Sequence, residues 1–127
     1  MTKQIINPPN IMHNPARSQA VKVGNMVFIS GQVAWDKDVK VVAVGDVRAQ
    51  AEKAYENLSE ILKAAGASFK DVVKITTFVV NPDDLPKLRG VRERFFAGHV
   101  PASTTVCIKQ MVQPELLVEI EAIAVID

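Results

Sequence analysis

The sequence predicts an α+β fold in two layers, a mainly antiparallel sheet with two helices on one face. Three observations lead there. Two segments carry apolar residues at three- and four-residue steps, the period of an amphipathic helix, while several others are short runs of β-branched and aromatic residues bounded by turn signals. The final run, LLVEIEAIAVI at 116–126, alternates at period two with every even position apolar. A chain of 127 residues, 48% hydrophobic, is also long enough to bury a core as one domain over 1–127 without disulfides or a structural metal.

Taken in order, Met26–Ser30 (MVFIS) follows a Gly24–Asn25 turn and reads as a strand. From Asp46 the period changes. Val47, Ala51, Ala54, Leu58, Ile61, Leu62 and Ala65 share one face, Arg48, Glu52, Lys53, Glu56 and Glu60 occupy the others, and Gly66 supplies the stop. Val72–Val80 (VVKITTFVV) is a strand closed by Asn81–Pro82. Asp83, Asp84 and Pro86 start a second helix with Leu88, Val91 and Phe95 as its apolar stripe and Gly98 at its end. Two strands remain, Thr104–Met111 and Leu116–Ile126, joined by a short connection containing Pro114.

Alternation on the last strand constrains more than the fold. Its even positions face the helices, and its odd positions Leu117, Glu119, Glu121, Ile123 and Val125 face away. That second face is largely apolar too, and an exposed apolar patch usually marks an interface, so the sheet faces are expected to meet in a closed homo-oligomer. Glu119 and Glu121 then lie at or near subunit boundaries, with Lys109 on the neighbouring strand as a partner for one of them.

Several classes are set aside by composition. A net charge of +1, with one Trp and one Tyr, provides neither the basic footprint nor the stacking platforms of a nucleic-acid binder. No apolar run approaches the length of a membrane span and the chain opens on no secretory signal pattern, so a cytoplasmic protein is expected. Cys107, the one cysteine, reads as a small strand residue, and His13 and His99 are isolated, which argues against a metal site. With no P-loop or GxGxxG pattern, no cofactor is expected.

Five stretches, SQAVKVGNMVFISGQ (18–32), AEKAYENLSEILKAAGAS (51–68), DVVKITTFV (71–79), RFFAGHVPAST (94–104) and VEIEAIAV (118–125), resemble the Rid family, the reactive intermediate deaminases also called YjgF-like proteins. The resemblance implies a chorismate-mutase-like subunit, a barrel-like homotrimer, and clefts between subunits that bind a small carboxylate, imine or enamine. It also implies hydrolysis of short-lived enamines and imines such as 2-aminoacrylate to a 2-oxo acid and ammonia.

Position by position, the match is partial. Ser30, Gly31 and Gln32 correspond to pocket-lining residues, and Glu119 to the glutamate that positions the attacking water. The family's carboxylate-gripping arginine after Pro-Ala is here Ser103, its cysteine two residues on is Thr105, and an aromatic pocket residue is Arg17. The asparagine and tyrosine of the second helix become Arg89 and Arg92. Losing a bidentate guanidinium contact removes substrate orientation, so the chain is expected to be a divergent member that is not a standard 2-aminoacrylate deaminase, with Arg17 as a replacement anchor. Three readings stay open: a hydrolase of altered preference, a non-catalytic small-ligand binder, and an RNA-directed ribonuclease or translation inhibitor.

Overall fold

The computed structural model describes residues 2–127. It contains six strands, β1 (Lys3–Ile6), β2 (Ala20–Val23), β3 (Met26–Gln32), β4 (Val72–Val79), β5 (Ala102–Cys107) and β6 (Val118–Val125), and two long helices, α1 (Val47–Ala64) and α2 (Leu85–Phe96). The strands form one sheet in the order β1-β2-β3-β6-β4-β5. All neighbours run antiparallel except β4 and β5, which are parallel because α2 carries the chain back between them. This is the α+β sandwich the sequence predicts.

The helix bounds follow from local chemistry. Asp46 caps α1, its carboxylate accepting from Ala49 N at 3.1 Å, and Gly66 past the other end takes a positive φ of 79° that suits a residue without Cβ. One face of α1, from Val47 through Leu62, is buried against the helix-side residues of the sheet: Val27 and Ile29 of β3, Ile75 and Val79 of β4, and Val118, Ile120, Ala122 and Ala124 of β6. An aromatic group fastens α2 to α1, with Tyr55 stacked on Phe95 at 5.1 Å and edge-on to Phe96 at 6.0 Å.

Differences from the sequence reading sit where pairing is non-local. β1 and β2 have four residues each, too few to show a period, and are strands because β3 templates them. β5 stops at Cys107 and not Met111, since the chain turns away over 108–117 to cover a second core of Val33, Ala34, Trp35, Met111 and Leu116. Lys109 therefore lies off the sheet, and β4 separates β5 from β6, so Lys109 is no cross-strand partner for either glutamate.

Two buried amides of α1 hold this second core. Asn57 Nδ2 donates to Val33 O and Trp35 O, both at 3.1 Å. Gln50, with 0% exposure, donates to Glu115 O at 2.9 Å and accepts from Leu117 N at 2.8 Å, fixing where the chain enters β6. Replacing Gln50 by the near-isosteric Leu leaves the N–H of half-buried Leu117 and the C=O of Glu115 without this partner, and Gln50→Leu is expected to lose about 1–3 kcal/mol in urea unfolding. A loss below about 1 kcal/mol would show that these bonds do not hold the connection.

Candidate functional site

The geometry at Glu119 starts from a defect in the β3–β6 ladder. Ile29 pairs with Ala122 but Gln32 with Ile120, so β3 carries one extra residue at Ser30–Gly31, a β-bulge. The bulge resets the phase of β3: Gln32 turns inward, is buried, and donates to Gln19 Oε1 at 2.8 Å and Ser30 O at 3.0 Å. Ser30 in turn ties down the segment preceding β2, its hydroxyl donating to Ser18 O at 2.7 Å and its N–H to Gln19 O at 2.9 Å. That segment carries Arg17, held in a turn by Arg17 N to Asn14 O at 3.1 Å.

These constraints converge on a cavity of about 330 Å³ on the open face of the sheet, whose lining includes Arg17, Ser30, Gly31, Trp35, Glu119 and Glu121. Gly31 is required by close approach. A Cβ built on it would stand 2.7 Å from both Cδ and Oε2 of Glu119, so only a residue without a side chain lets the carboxyl occupy this place. Burial raises the proton affinity of Glu119 above the usual carboxylate range, the charge of Glu121 raises it further, and the Arg17 guanidinium pulls it partly back. The result is a half-buried carboxyl that is a stronger base than a solvated one.

A second cavity, about 180 Å³, lies on the opposite face, between the helices and the sheet. Thr77, Val118 and Ile120 form its floor, Tyr55 and Leu88 its helical wall, and Thr105, Arg89 and Arg92 its remaining polar lining. Burial pushes the Tyr55 phenol up to about 12 despite the opposing charge of Arg92, so it stays a hydrogen-bond donor at neutral pH. Arg92 also borders a third hollow of about 170 Å³, with Ser103, His99 and Pro101. The proposed site residues thus divide. Arg17, Ser30 and Gly31 meet Glu119, with Gln32 buried just beneath, whereas Ser103, Thr105 and Arg89 lie across the sheet from it. Glu119 and Ile120 are adjacent in β6 and point to opposite faces, so one chain does not present both groups of residues to a single small ligand.

Tyr55, Thr77 and Trp35 were not among the residues singled out from sequence. Tyr55 sits in the amphipathic pattern of α1 as one more core position, and only the tertiary packing brings it to a cavity wall. Among the described residues no group of three or more His, Cys, Asp or Glu is placed to hold a metal ion, and no helix is long and apolar enough to cross a membrane.

A family model described as Endoribonuclease L-PSP matches residues 12–126. The chain is 37% identical over 110 residues to a 2-iminobutanoate/2-iminopropanoate deaminase of Dermatophagoides farinae, spanning 87% of this chain and 85% of that protein. Its structure resembles RidA from an Antarctic Psychrobacter, with TM-score 0.90, 34% identity and coverage of 97% and 99% of the two chains. It also resembles E. coli TdcF with bound serine, with TM-score 0.87, 32% identity and coverage of 98% and 99%.

The position of Glu119 has a thermodynamic consequence. Its proton affinity is higher folded than unfolded, so on raising the pH the unfolded chain ionises first and the folded state holds more protons. The stability this group contributes is therefore complete below the unfolded carboxylate pKa of about 4.3 and is lost as pH rises through the higher folded value. Glu119→Gln, which cannot ionise, is expected to melt above the parent at pH 7 and to lose that advantage at about pH 3. A gain that is the same at both pH values would rule out the buried charge as its source.

Proposed function

Because this chain belongs to the endoribonuclease L-PSP family, the group also called Rid or YjgF-like proteins, we propose that it hydrolyses a small imine or enamine acid to a 2-oxo acid and ammonia, with Glu119 handling the proton. The observation that carries this reading is the Glu119 carboxyl itself, half-buried, seated against Gly31, raised in proton affinity and sharing a cavity with Arg17. Relatives named imine deaminases supply the reaction class.

An imine carbon is already electrophilic, so the protein's tasks are orientation and proton transfer. Water adds its oxygen to the carbon of the protonated imine as one of its protons passes to Glu119, which leaves a neutral carbinolamine. Glu119 returns that proton to the nitrogen, the carbon–nitrogen bond breaks with its electron pair leaving on ammonia, and the hydroxyl passes its proton back to the Glu119 carboxylate as it becomes the carbonyl. A carboxyl with raised proton affinity suits both directions of this relay better than an ordinary one, because its pKa lies nearer neutrality.

Orientation is where this chain departs from the family pattern. With Ser103 after Pro101–Ala102, the bidentate grip on a substrate carboxylate is absent there, a loss on the order of several kcal/mol in transition-state binding. Arg17 is the cation on the Glu119 cavity and takes that part in this proposal. A closed homotrimer completes the reading by setting the Glu119 face of one copy against the Ser103–Thr105 face of the next. Two features support it: β5 is an edge strand exposed at all six residues, and the open sheet face leaves Phe28 42% exposed. The family description also carries a ribonuclease name, but a net charge of +1 gives that reading no electrostatic support.

The test is ammonia release from 2-iminobutanoate and 2-aminoacrylate generated in situ. The chain is expected to accelerate it, and Gly31→Ala to fold normally yet lose roughly 100-fold in turnover, because its methyl displaces the flexible end of Glu119. Arg17→Met is expected to raise KM more than it lowers kcat. No acceleration with any imine, together with thermal stabilisation by 2-oxo acids, would replace the hydrolase by a small-ligand binding protein.

A further inference from the structure

The basic residues of α2 fall into two pairs. Lys87 is engaged with Asp84 at 3.1 Å, and Arg94 reaches Glu52 at 3.4 Å while lying 5.2 Å over the Phe95 ring. Arg89 and Arg92, one turn apart on a different face of the helix, make no ion pair among the described residues. Both instead line the 180 Å³ cavity, beside Tyr55, Thr77 and Thr105, and no acidic side chain is among its lining residues.

Such a cavity has an unbalanced charge of two guanidinium groups over a floor of Val118 and Ile120. Its hydroxyls come from three directions, α1, β4 and β5, and the Tyr55 phenol remains a donor at neutral pH. Guanidinium forks match carboxylate oxygens two by two, and an apolar floor strengthens the attraction by keeping water away. One negative charge would leave one arginine uncompensated. We propose that the Arg89–Arg92 cavity is a binding site for a small dianionic acid, so that the preferred ligand of this chain carries two negative charges. Resting on the hydrolase reading above, this makes the substrate a dicarboxylic imine or enamine acid. Arg92 borders both this cavity and the hollow at Ser103, which Glu93 also lines, so one of the two guanidinium groups stands beside the position where the family has its strand arginine. Beside Arg17 on the Glu119 cavity, the helix thus presents two further guanidinium groups to an anion.

Binding separates this inference from the hydrolase reading, because it needs no turnover. Calorimetric titration of the full chain with succinate and with inorganic phosphate, against propionate as the single-charge control, is expected to give dissociation constants for succinate at least 10-fold below those for propionate. Arg89→Met with Arg92→Met abolishes that preference, while Lys87→Met, which leaves the cavity untouched, retains it; Tyr55→Phe weakens succinate several-fold with both arginines in place. Glu119→Gln, lying on the other face, keeps the preference even where ammonia release is lost. Phosphate bound tightly and succinate no better than propionate would keep the dianion site but overturn the dicarboxylate assignment. Equal affinity for all three probes, or a succinate preference that survives the double substitution in a protein that melts like the parent, overturns the proposal. Succinate preference without ammonia release from any imine leaves this site standing and removes the hydrolase.

Discussion

Everything in this fold depends on β6 being hydrogen-bonded on both sides and wetted on one. It is the strand between β3 and β4, and its side chains alternate between a fully dry face and a face that opens on solvent. Val118, Ile120, Ala122 and Ala124 meet the helices, and Glu119 and Glu121 face the other way. A slip of one residue would drive both carboxylates under α1 and expose the four core residues, a rearrangement with no compensating gain. The register that builds the core is therefore the same register that aims Glu119, and the Gln50 bonds to the chain around Leu117 fix it at the point of entry.

Within that frame the bulge in β3 accounts for the local geometry. An uninterrupted ladder would direct Gly31 inward and Gln32 outward. The extra residue instead buries Gln32 as the hub of a network joining Gln19 and Ser30, and it leaves Gly31 under the Glu119 carboxyl. The same network holds the segment bearing Arg17 against β3. A cation and a carboxyl more than a hundred residues apart in sequence are brought to one cavity by main-chain and side-chain hydrogen bonds, with no direct ion pair between them.

What the sequence makes legible is what depends on local period. The helix α1 announces itself through Val47 to Ala65 and its Asp46 and Gly66 ends, and β6 through its strict alternation. β1, β2 and the end of β5 carry no such signal, since four-residue strands and a strand that stops for tertiary reasons are defined by their partners. The site has the same split. Period two assigns Glu119 and Glu121 to the face away from the helices, and an isolated Gly31 within a strand pattern hints at a bulge. Which face Ser103, Thr105 and Arg89 belong to depends on the order in which strands join the sheet, and residue spacing carries no information about that. Pairing Lys109 with a glutamate failed for this reason: consecutive strands in sequence are not neighbours in the sheet.

The two faces differ in electrostatic sign as well as in position. The open face gathers Glu119 and Glu121 with Arg17 as the cation at that cavity, a combination that raises the proton affinity of Glu119 and costs stability when it ionises. The helix face gathers Arg89 and Arg92 without an acid. In each pair one member is half-buried, Glu119 and Arg92, and the other, Glu121 and Arg89, is exposed. Set opposite one another across a boundary between copies, as the proposed trimer requires, the two faces would border one cleft. An anion held by the arginines would then lie near a carboxyl whose proton it helps retain, because a negative ligand raises the proton affinity of Glu119 just as Glu121 does. In such an assembly, ligand binding and the protonation state of the relay group become linked through charge alone, without any movement of the backbone.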